Sequence, residues 1–224
     1  MTSIPNTNLA SELDGMRAQF LAKVPPEIAS VMMQATRALD LENLPARAVA
    51  VGRTVPDFSL PDAHGKLVSL STLLTRGPVV ISFYRGGWCP YCNLELRALN
   101  QCLDDIRALG ADLVAISPQT PDHSLSTSEK QNLRFPVISD KGNVVARSYG
   151  LVFTLPERLR PIYQSFGLDV PASNGDATWE LPLPATYVVD QRGVVRADFL
   201  NADYTRRMEP ADVIAALRSI RNNA

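Results

Sequence analysis

One stretch, in which a cysteine pair follows a strand and starts a helix, limits the fold of this chain more than any other. Residues 79–83 (VVISF) are largely apolar and predict a buried strand. Cys89 and Cys92 follow, and a helical pattern begins at residues 93–99. The two sulfurs are therefore expected on the first helical turn, where unpaired backbone N–H groups and the helix dipole favour a thiolate over a thiol. This arrangement predicts a redox-active centre.

The rest of the chain alternates between strand and helix patterns. We predict an α/β sandwich with a mixed central sheet, because strands alternate with helices before a closing hairpin and helix. One long helix is predicted for residues 91–109, which end at Gly110. The Pro-rich residues 151–183 are predicted to be irregular, apart from one helix near residues 157–166. Further strands are predicted at residues 113–117, 135–139, 186–190 and 194–196.

An N-terminal helical hairpin precedes this domain. Apolar residues recur at helical spacing over residues 9–24, with Ser11 as the expected helix start, and again over residues 26–39. We therefore divide the chain into a helical extension, residues 1–48, and a main domain, residues 49–224. A hairpin of about 40 residues is too small to bury a core alone. It is expected to dock on the main domain or on a second copy, which would make a homodimer.

Charge and hydropathy exclude several classes of partner. The formal net charge is −1 and no Lys/Arg block is present, so neither nucleic acid nor an anionic membrane is expected to bind. No apolar run approaches the roughly 20 residues that cross a bilayer. Glu12 and Asp14 fall where a signal peptide would be apolar. These observations predict a cytoplasmic protein.

The cysteines are suited to redox chemistry rather than to a structural disulfide network or a metal site. The chain has 3 cysteines, and Cys89 and Cys92 are spaced to form and reopen a disulfide. Cys102 is predicted on the same helix about 15 Å beyond Cys92, too far for a disulfide, so it is interpreted as a buried spectator. A closed zinc site needs four ligands, and the only histidines are His64 and His123. No metal is expected.

Five motifs along the chain occur in the order found in peroxiredoxins. The chain resembles the peroxiredoxin-like branch of the alkyl hydroperoxide reductase and thiol-specific antioxidant (AhpC/TSA) superfamily over residues 49–220. The resemblance implies a thioredoxin-like fold. The motifs are residues 55–62 (VPDFSLPD), 83–84 (FY), 115–118 (AISP), 135–140 (FPVISD) and 186–190 (TYVVD).

The resemblance also implies an activity. It predicts a thiol-dependent antioxidant oxidoreductase that reduces hydroperoxides and is left with a Cys89–Cys92 disulfide. An external thiol donor, such as a thioredoxin or glutathione system, then resets the pair. No metal, flavin or nicotinamide is implied, because the cysteine pair carries both electrons. Two alternatives remain open: a thioredoxin-like protein disulfide reductase without peroxidase activity, and a dimerising scaffold protein.

Two assignments compete for the attacking sulfur. Peroxiredoxins carry a Glu three residues after the peroxidatic cysteine, and counting back from Glu95 selects Cys92. Residues 88–92 (WCPYC) also resemble thioredoxin and glutaredoxin centres, in which the first cysteine, here Cys89, is the nucleophile. Cys89 is also expected to be the more exposed of the two, because it comes first on the helix.

The residues that would support the site depart from the family pattern. Pro184 occupies the position of the family's catalytic Arg, and also that of the cis-proline of thioredoxin-like reductases, beside which Leu183 would offer backbone groups to a disulfide. Arg85 either replaces the missing positive charge or is solvated. Glu95 either pairs with Arg85 or simply favours the helix start. Trp88 is expected to shield one sulfur.

Overall fold

A computed structural model describes residues 8–222. Its helices are α1 (Leu9–Lys23), α2 (Pro26–Leu41), α3 (Leu70–Leu74), α4 (Pro90–Gln101), α5 (Leu103–Ala108), α6 (Pro121–Lys130), α7 (Val144–Ser148), α8 (Arg160–Ser165), α9 (Val170–Asn174) and α10 (Pro210–Asn222). Its strands are β1 (Ser59–Pro61), β2 (Leu67–Ser69), β3 (Val79–Phe83), β4 (Asp112–Ser117), β5 (Val137–Ser139), β6 (Val152–Thr154), β7 (Glu180–Pro182), β8 (Ala185–Val189) and β9 (Val195–Leu200).

The central sheet has five strands in the order β5-β4-β3-β8-β9. β3 pairs in parallel with β4 and antiparallel with β8, so the sheet is mixed, as predicted. All five residues of β3 are buried, because strands flank it and helices cover both faces of the sheet. The chain leaves the carboxyl end of β3 directly into the cysteine loop. The α/β, thioredoxin-like architecture inferred from the sequence is confirmed.

The N-terminal hairpin forms and docks on the main domain. α1 begins at Leu9 rather than at Ser11, because the Asn8 side chain caps the helix by accepting the Ser11 backbone N–H at 3.0 Å. The Glu209 carboxylate accepts the N–H groups of Leu9 and Ala10 at 3.2 and 2.6 Å, which satisfies two further donors of the first turn. Leu9 joins the apolar core that contains both site cysteines. The division at residue 48 and the homodimer stay predictions.

The long helix predicted for residues 91–109 is interrupted at Cys102. This residue lies between α4 and α5 with φ −92° and ψ 4°, outside helical geometry. Its N–H still donates to Ala98 O and its carbonyl accepts from Ile106 N, so the interruption is a kink rather than a separation. Cys102 is 1% exposed, in agreement with its predicted burial. Within residues 8–222, no helix is both long and apolar enough to cross a membrane.

Residues 151–183 are more ordered than predicted. They contain the antiparallel pair β6–β7 and the helix α9 in addition to the expected α8. Leu155, Tyr163 and Leu181 form an apolar cluster with Ala35 of α2. The segment therefore packs against the N-terminal hairpin, and this long-range contact compensates for its weak local pattern.

Candidate active site

Both cysteines of the pair are buried at the start of α4. Cys89 is the N-cap residue, Pro90 is the first helical residue and Cys92 is the third. Their exposed fractions are 1% for Cys89 and 0% for Cys92, and no disulfide joins them. Cys89 was expected to be the more exposed of the two, and the difference between the exposed fractions is too small to test this. The two thiols differ instead in what surrounds them.

Cys89 lines a narrow cleft of about 250 Å³, whereas Cys92 does not. The walls come from the hairpin, from the segment around α8 and from the loop after β9. Most of the lining is aromatic or apolar, and Arg85 is the one charged residue among the described residues that form it. The lining residues are Phe20, Met32, Arg85, Trp88, Cys89, Pro90, Tyr91, Tyr163, Phe166, Leu168 and Tyr204.

Arg85 is buried in a cage of three aromatic rings. Its guanidinium carbon lies 5.1 Å from the ring centre of Trp88, 5.6 Å from that of Tyr163 and 4.4 Å from that of Tyr204. One Nη donates to the Tyr163 hydroxyl, while the buried Nε has no hydrogen-bond partner. No carboxylate among residues 8–222 lies within ion-pair distance of Arg85. Of the two interpretations of Arg85, the solvated one is wrong.

Glu95 does not pair with Arg85 but with a residue that the sequence did not indicate. Its Oε2 accepts from Nε of Arg207 at 2.5 Å, and its Oε1 accepts from the Thr186 hydroxyl at 2.8 Å. Nη2 of Arg207 lies 3.3 Å from the Cys92 sulfur. The side chains of Glu95 and Arg207 are each 1% exposed. A buried ion pair therefore lies directly behind the cysteines.

This environment separates the acidities of the two thiols. Burial raises the pKa of Cys89. The Cys92 side-chain hydrogen bond and the positive charges of Arg85 and Arg207 outweigh this effect and lower the pKa to about 6. Burial and the hydrogen bond and negative charge at Cys89 raise the pKa of Cys92 well above its usual value. The pKa of Cys89 is thus the lower of the two, so Cys89 is the thiol that ionises first as the pH rises.

The loop between β3 and α4 is held by backbone hydrogen bonds to two amide side chains. The Gly87 N–H donates to Oε1 of Gln119 at 2.8 Å, and the Gly87 carbonyl accepts from Nδ2 of Asn93 at 2.8 Å. Trp88 is partly buried and packs edge-to-face on Tyr163, with ring centres 5.9 Å apart. Trp88 lines the cleft beside Cys89, and its shielding role stays a prediction.

Leu183 and Pro184 do not have the geometry expected from the thioredoxin resemblance. No peptide bond within residues 8–222 is cis, so Pro184 is not a cis-proline. The Leu183 N–H already donates to Leu151 O at 2.8 Å, because the chain there continues from the β6–β7 pair. The Leu183 side chain belongs to the apolar core that contains neither cysteine. The backbone N–H of Leu183 is therefore not free to receive a disulfide.

Among the residues that the structure describes, no three His, Cys, Asp or Glu side chains are placed to hold a metal ion.

Comparison with known proteins identifies the family. The family model described as AhpC/TSA matches residues 51–198, more than half of the chain. The chloroplastic peroxiredoxin Q of Populus jackii is 31% identical over 150 residues, which cover 67% of this chain and 60% of that protein. The chain thus spans less than two thirds of this relative. The chloroplastic peroxiredoxin Q of Sedum lineare is 31% identical over 153 residues, which cover 68% of this chain and 70% of that protein.

A solved structure supports the same assignment. The crystal structure of peroxidoxin BcpB from Mycobacterium tuberculosis superposes with a TM-score of 0.61 at 25% identity, covering 77% of this chain and 99% of that one. The chain belongs to the AhpC/TSA family and has the thioredoxin-like fold of peroxiredoxins. Tyr204, Arg207 and both helices of the hairpin lie outside the matched residues.

Proposed function

We propose that the protein is a thiol peroxidase in which Cys89 attacks a hydroperoxide and Cys92 resolves the product. The observation that carries this proposal is the position of Cys89, which lines the cleft together with the buried Arg85 in an AhpC/TSA domain, whereas Cys92 does not line it. Cys92 has no contact with the cleft and holds its proton. This assignment follows the thioredoxin-like pattern rather than the count from Glu95.

The oxidative half-reaction needs only the two thiols and the substrate. The Cys89 thiolate attacks the terminal oxygen of the hydroperoxide, the O–O bond breaks, and an alcohol leaves after taking a proton. Cys89 becomes a sulfenic acid. The Cys92 sulfur then attacks the Cys89 sulfur, releases water and forms the Cys89–Cys92 disulfide. Two electrons pass from the pair to the peroxide.

The two arginines act on different sulfurs in this scheme. Arg85 borders the cleft, so its guanidinium lies beside the oxygen atoms of a bound hydroperoxide and stabilises the charge that develops there. Arg207 donates to the Cys92 sulfur and favours the thiolate that forms when Cys92 attacks. Glu95 and Thr186 act as positioning residues, because they hold Arg207 in place from behind.

A peroxide titration with a thiol count distinguishes the peroxidase from the disulfide reductase. We expect the reduced protein to consume one equivalent of cumene hydroperoxide within seconds while two thiols disappear, far faster than free cysteine at the same thiolate concentration. Insulin disulfides should be reduced only at background rate. Rapid insulin reduction together with background peroxide consumption would instead establish the reductase alternative. The cytoplasmic location and the homodimer stay predictions, to be tested by fractionation and by light scattering.

A further inference from the structure

The departing oxygen of a hydroperoxide needs a proton that neither cysteine supplies. Cys89 reacts as a thiolate, and Cys92 keeps its proton until the resolving step. An alkoxide is a strong base, so it leaves readily only if an acid protonates it as the O–O bond breaks. Cys89 is 1% exposed and most of the cleft lining is aromatic or apolar, so bulk water has little access to this oxygen. The proton donor is therefore expected in the lining itself.

Few groups in the lining can release a proton. The Arg85 guanidinium donates hydrogen bonds but stays protonated in proteins, and the Trp88 indole is a donor that does not ionise. The described part of the lining contains no carboxylate, histidine or lysine. Three phenols remain, and a phenol can both donate a hydrogen bond and give up its proton. They are Tyr91, Tyr163 and Tyr204.

Tyr163 differs from the other two phenols in its contact with Arg85. One Nη of Arg85 donates to the Tyr163 hydroxyl oxygen, so a phenolate formed there is stabilised by a charge-assisted hydrogen bond. The oxygen accepts this bond, which leaves the hydroxyl proton available for donation. Tyr204 instead presents its ring to Arg85, with the guanidinium carbon 4.4 Å from the ring centre. Burial raises the pKa of both Tyr204 and Tyr91, which makes them poorer acids.

Packing fixes the position of the Tyr163 hydroxyl. Tyr163 is the buried residue of α8, and its ring belongs to the apolar cluster that joins residues 151–183 to the hairpin. The ring also packs edge-to-face on Trp88, with ring centres 5.9 Å apart, and the Arg85 guanidinium carbon lies 5.1 Å from the centre of the same indole. The Tyr163–Arg85 pair thus packs on the residue that immediately precedes Cys89, and all of them line one cleft.

We propose, building on the peroxidase function above, that Tyr163 is the catalytic acid that protonates the leaving oxygen of the hydroperoxide, while Arg85 stabilises the resulting phenolate. The Cys89 sulfur bonds to the terminal oxygen and becomes a sulfenic acid, and the O–O bond breaks as two electrons pass from sulfur to the peroxide. The Tyr163 proton passes to the departing alkoxide, which leaves as an alcohol. The phenolate then takes a proton from water, which restores Tyr163 for the next turnover.

The test compares two aromatic peroxides whose leaving groups differ in basicity. Cumene hydroperoxide releases an alkoxide, whereas peroxybenzoic acid releases a carboxylate that needs no proton. In stopped-flow oxidation of the reduced protein, Tyr163→Phe should lower the rate constant about 100-fold with cumene hydroperoxide but leave it within about threefold of the wild type with peroxybenzoic acid. A purely structural role for Tyr163 would instead lower both rate constants by a similar factor.

The matched control is Tyr149→Phe, which removes a buried tyrosine hydroxyl that donates to Pro56 O at 3.0 Å and does not line the cleft. It should keep the wild-type ratio of the two rate constants. Similar losses with both peroxides in Tyr163→Phe, or no loss with either, overturn the proposal. A wild type that reacts with neither peroxide overturns the peroxidase function and the proposal with it.

If Tyr163→Phe does not fold, the solvent deuterium isotope effect on the wild type decides. Proton transfer from Tyr163 accompanies the breaking of the O–O bond only when the leaving group is an alkoxide. The isotope effect should therefore be larger with cumene hydroperoxide than with peroxybenzoic acid, and equal isotope effects overturn the proposal.

Discussion

The Arg207 guanidinium lies 3.3 Å from the Cys92 sulfur, although the two residues are 115 positions apart in the chain. The position at which the family resemblance places a catalytic Arg is occupied by Pro184, and Arg207 supplies positive charge from the loop between β9 and α10 instead. The Arg207 Nη1 donates to the carbonyls of Tyr204 and Arg206 at 2.5 and 2.7 Å, which fixes the guanidinium plane. The charge at the site is thus retained by a different part of the fold.

Removal of this arginine is expected to destabilise the protein. Arg207→Met leaves Glu95 buried without its counter-ion, which should lower the free energy of unfolding by about 3–5 kcal/mol. Urea denaturation of the reduced protein measures the change. The control, Asp104→Ala, breaks the exposed ion pair with Arg134 and should cost less than about 1 kcal/mol. A similar small cost for both variants would show that the buried pair contributes little.

The reactivity of Cys89 should depend on pH with a midpoint near its lowered pKa of about 6. Only the thiolate reacts, so the rate of alkylation by iodoacetamide should rise from pH 5 to pH 7 and be constant above that. In Cys92→Ala the loss of the hydrogen bond to Cys89 should move the midpoint to higher pH. The measurement follows modification of Cys89 by mass spectrometry. A wild-type midpoint near the ordinary cysteine value of about 8.5 would contradict the electrostatic account.

The N-terminal hairpin is expected to shape substrate binding through Phe20. This ring packs edge-to-face on Phe166 with ring centres 6.0 Å apart, and both line the cleft. Phe20→Ala should raise the KM for cumene hydroperoxide severalfold, because an apolar wall worth about 1 kcal/mol is lost, while the rate with hydrogen peroxide stays within about twofold. The control Leu21→Ala changes a 42% exposed neighbour that does not line this cleft. An equal effect on both peroxides would exclude the hairpin as a determinant of substrate choice.

Gly87 is required by the close approach of the cysteine loop to α6. A Cβ at this position would lie 2.1 Å from the Thr127 hydroxyl oxygen, so Gly87→Ala must displace the loop. We expect a loss of stability of about 1–3 kcal/mol and at least a tenfold lower rate with peroxide. Gly15→Ala, where a Cβ meets nothing within 4 Å on an exposed part of α1, should instead stabilise the protein by about 0.5–1 kcal/mol. Thermal unfolding followed by circular dichroism and peroxide kinetics compare the two variants. If Gly87→Ala is as stable and as active as Gly15→Ala, the cysteine loop tolerates the displacement and the prediction is wrong.

Local sequence patterns were sufficient for the sheet and for the position of the cysteines. The strand predicted at residues 79–83 has the same bounds as β3. A short apolar run with a loop on each side is typical of a buried strand. The start of α1 was misplaced by a few residues because Asn8 was not recognised as the cap. The β6–β7 pair was missed because three-residue strands carry too little periodicity to be distinguished from a loop.

The partners of the site were predicted less well than the cysteines themselves. Arg207 and Tyr204 lie in a loop without periodicity and reach the site only through the fold, so no local pattern indicated them. The sequence does indicate that Glu95 has a cationic partner. Glu95 lies between Leu94 and Leu96 on a helix that is expected to be buried, and a buried acid needs a cation. Glu95 therefore needs a cationic partner, but the helix pattern does not identify which residue supplies the charge. The sequence suggested Arg85, which is instead surrounded by aromatic rings.

The measurement that tests the central claim most directly is stopped-flow reaction of the two single Cys→Ser variants with cumene hydroperoxide. We predict that Cys92→Ser reacts once at a rate within about tenfold of the wild type and leaves a Cys89 sulfenic acid that dimedone traps, whereas Cys89→Ser reacts only at the rate of free cysteine. The reverse result, with a fast Cys89→Ser variant and a sulfenic acid on Cys92, would contradict the assignment of Cys89 as the attacking thiolate.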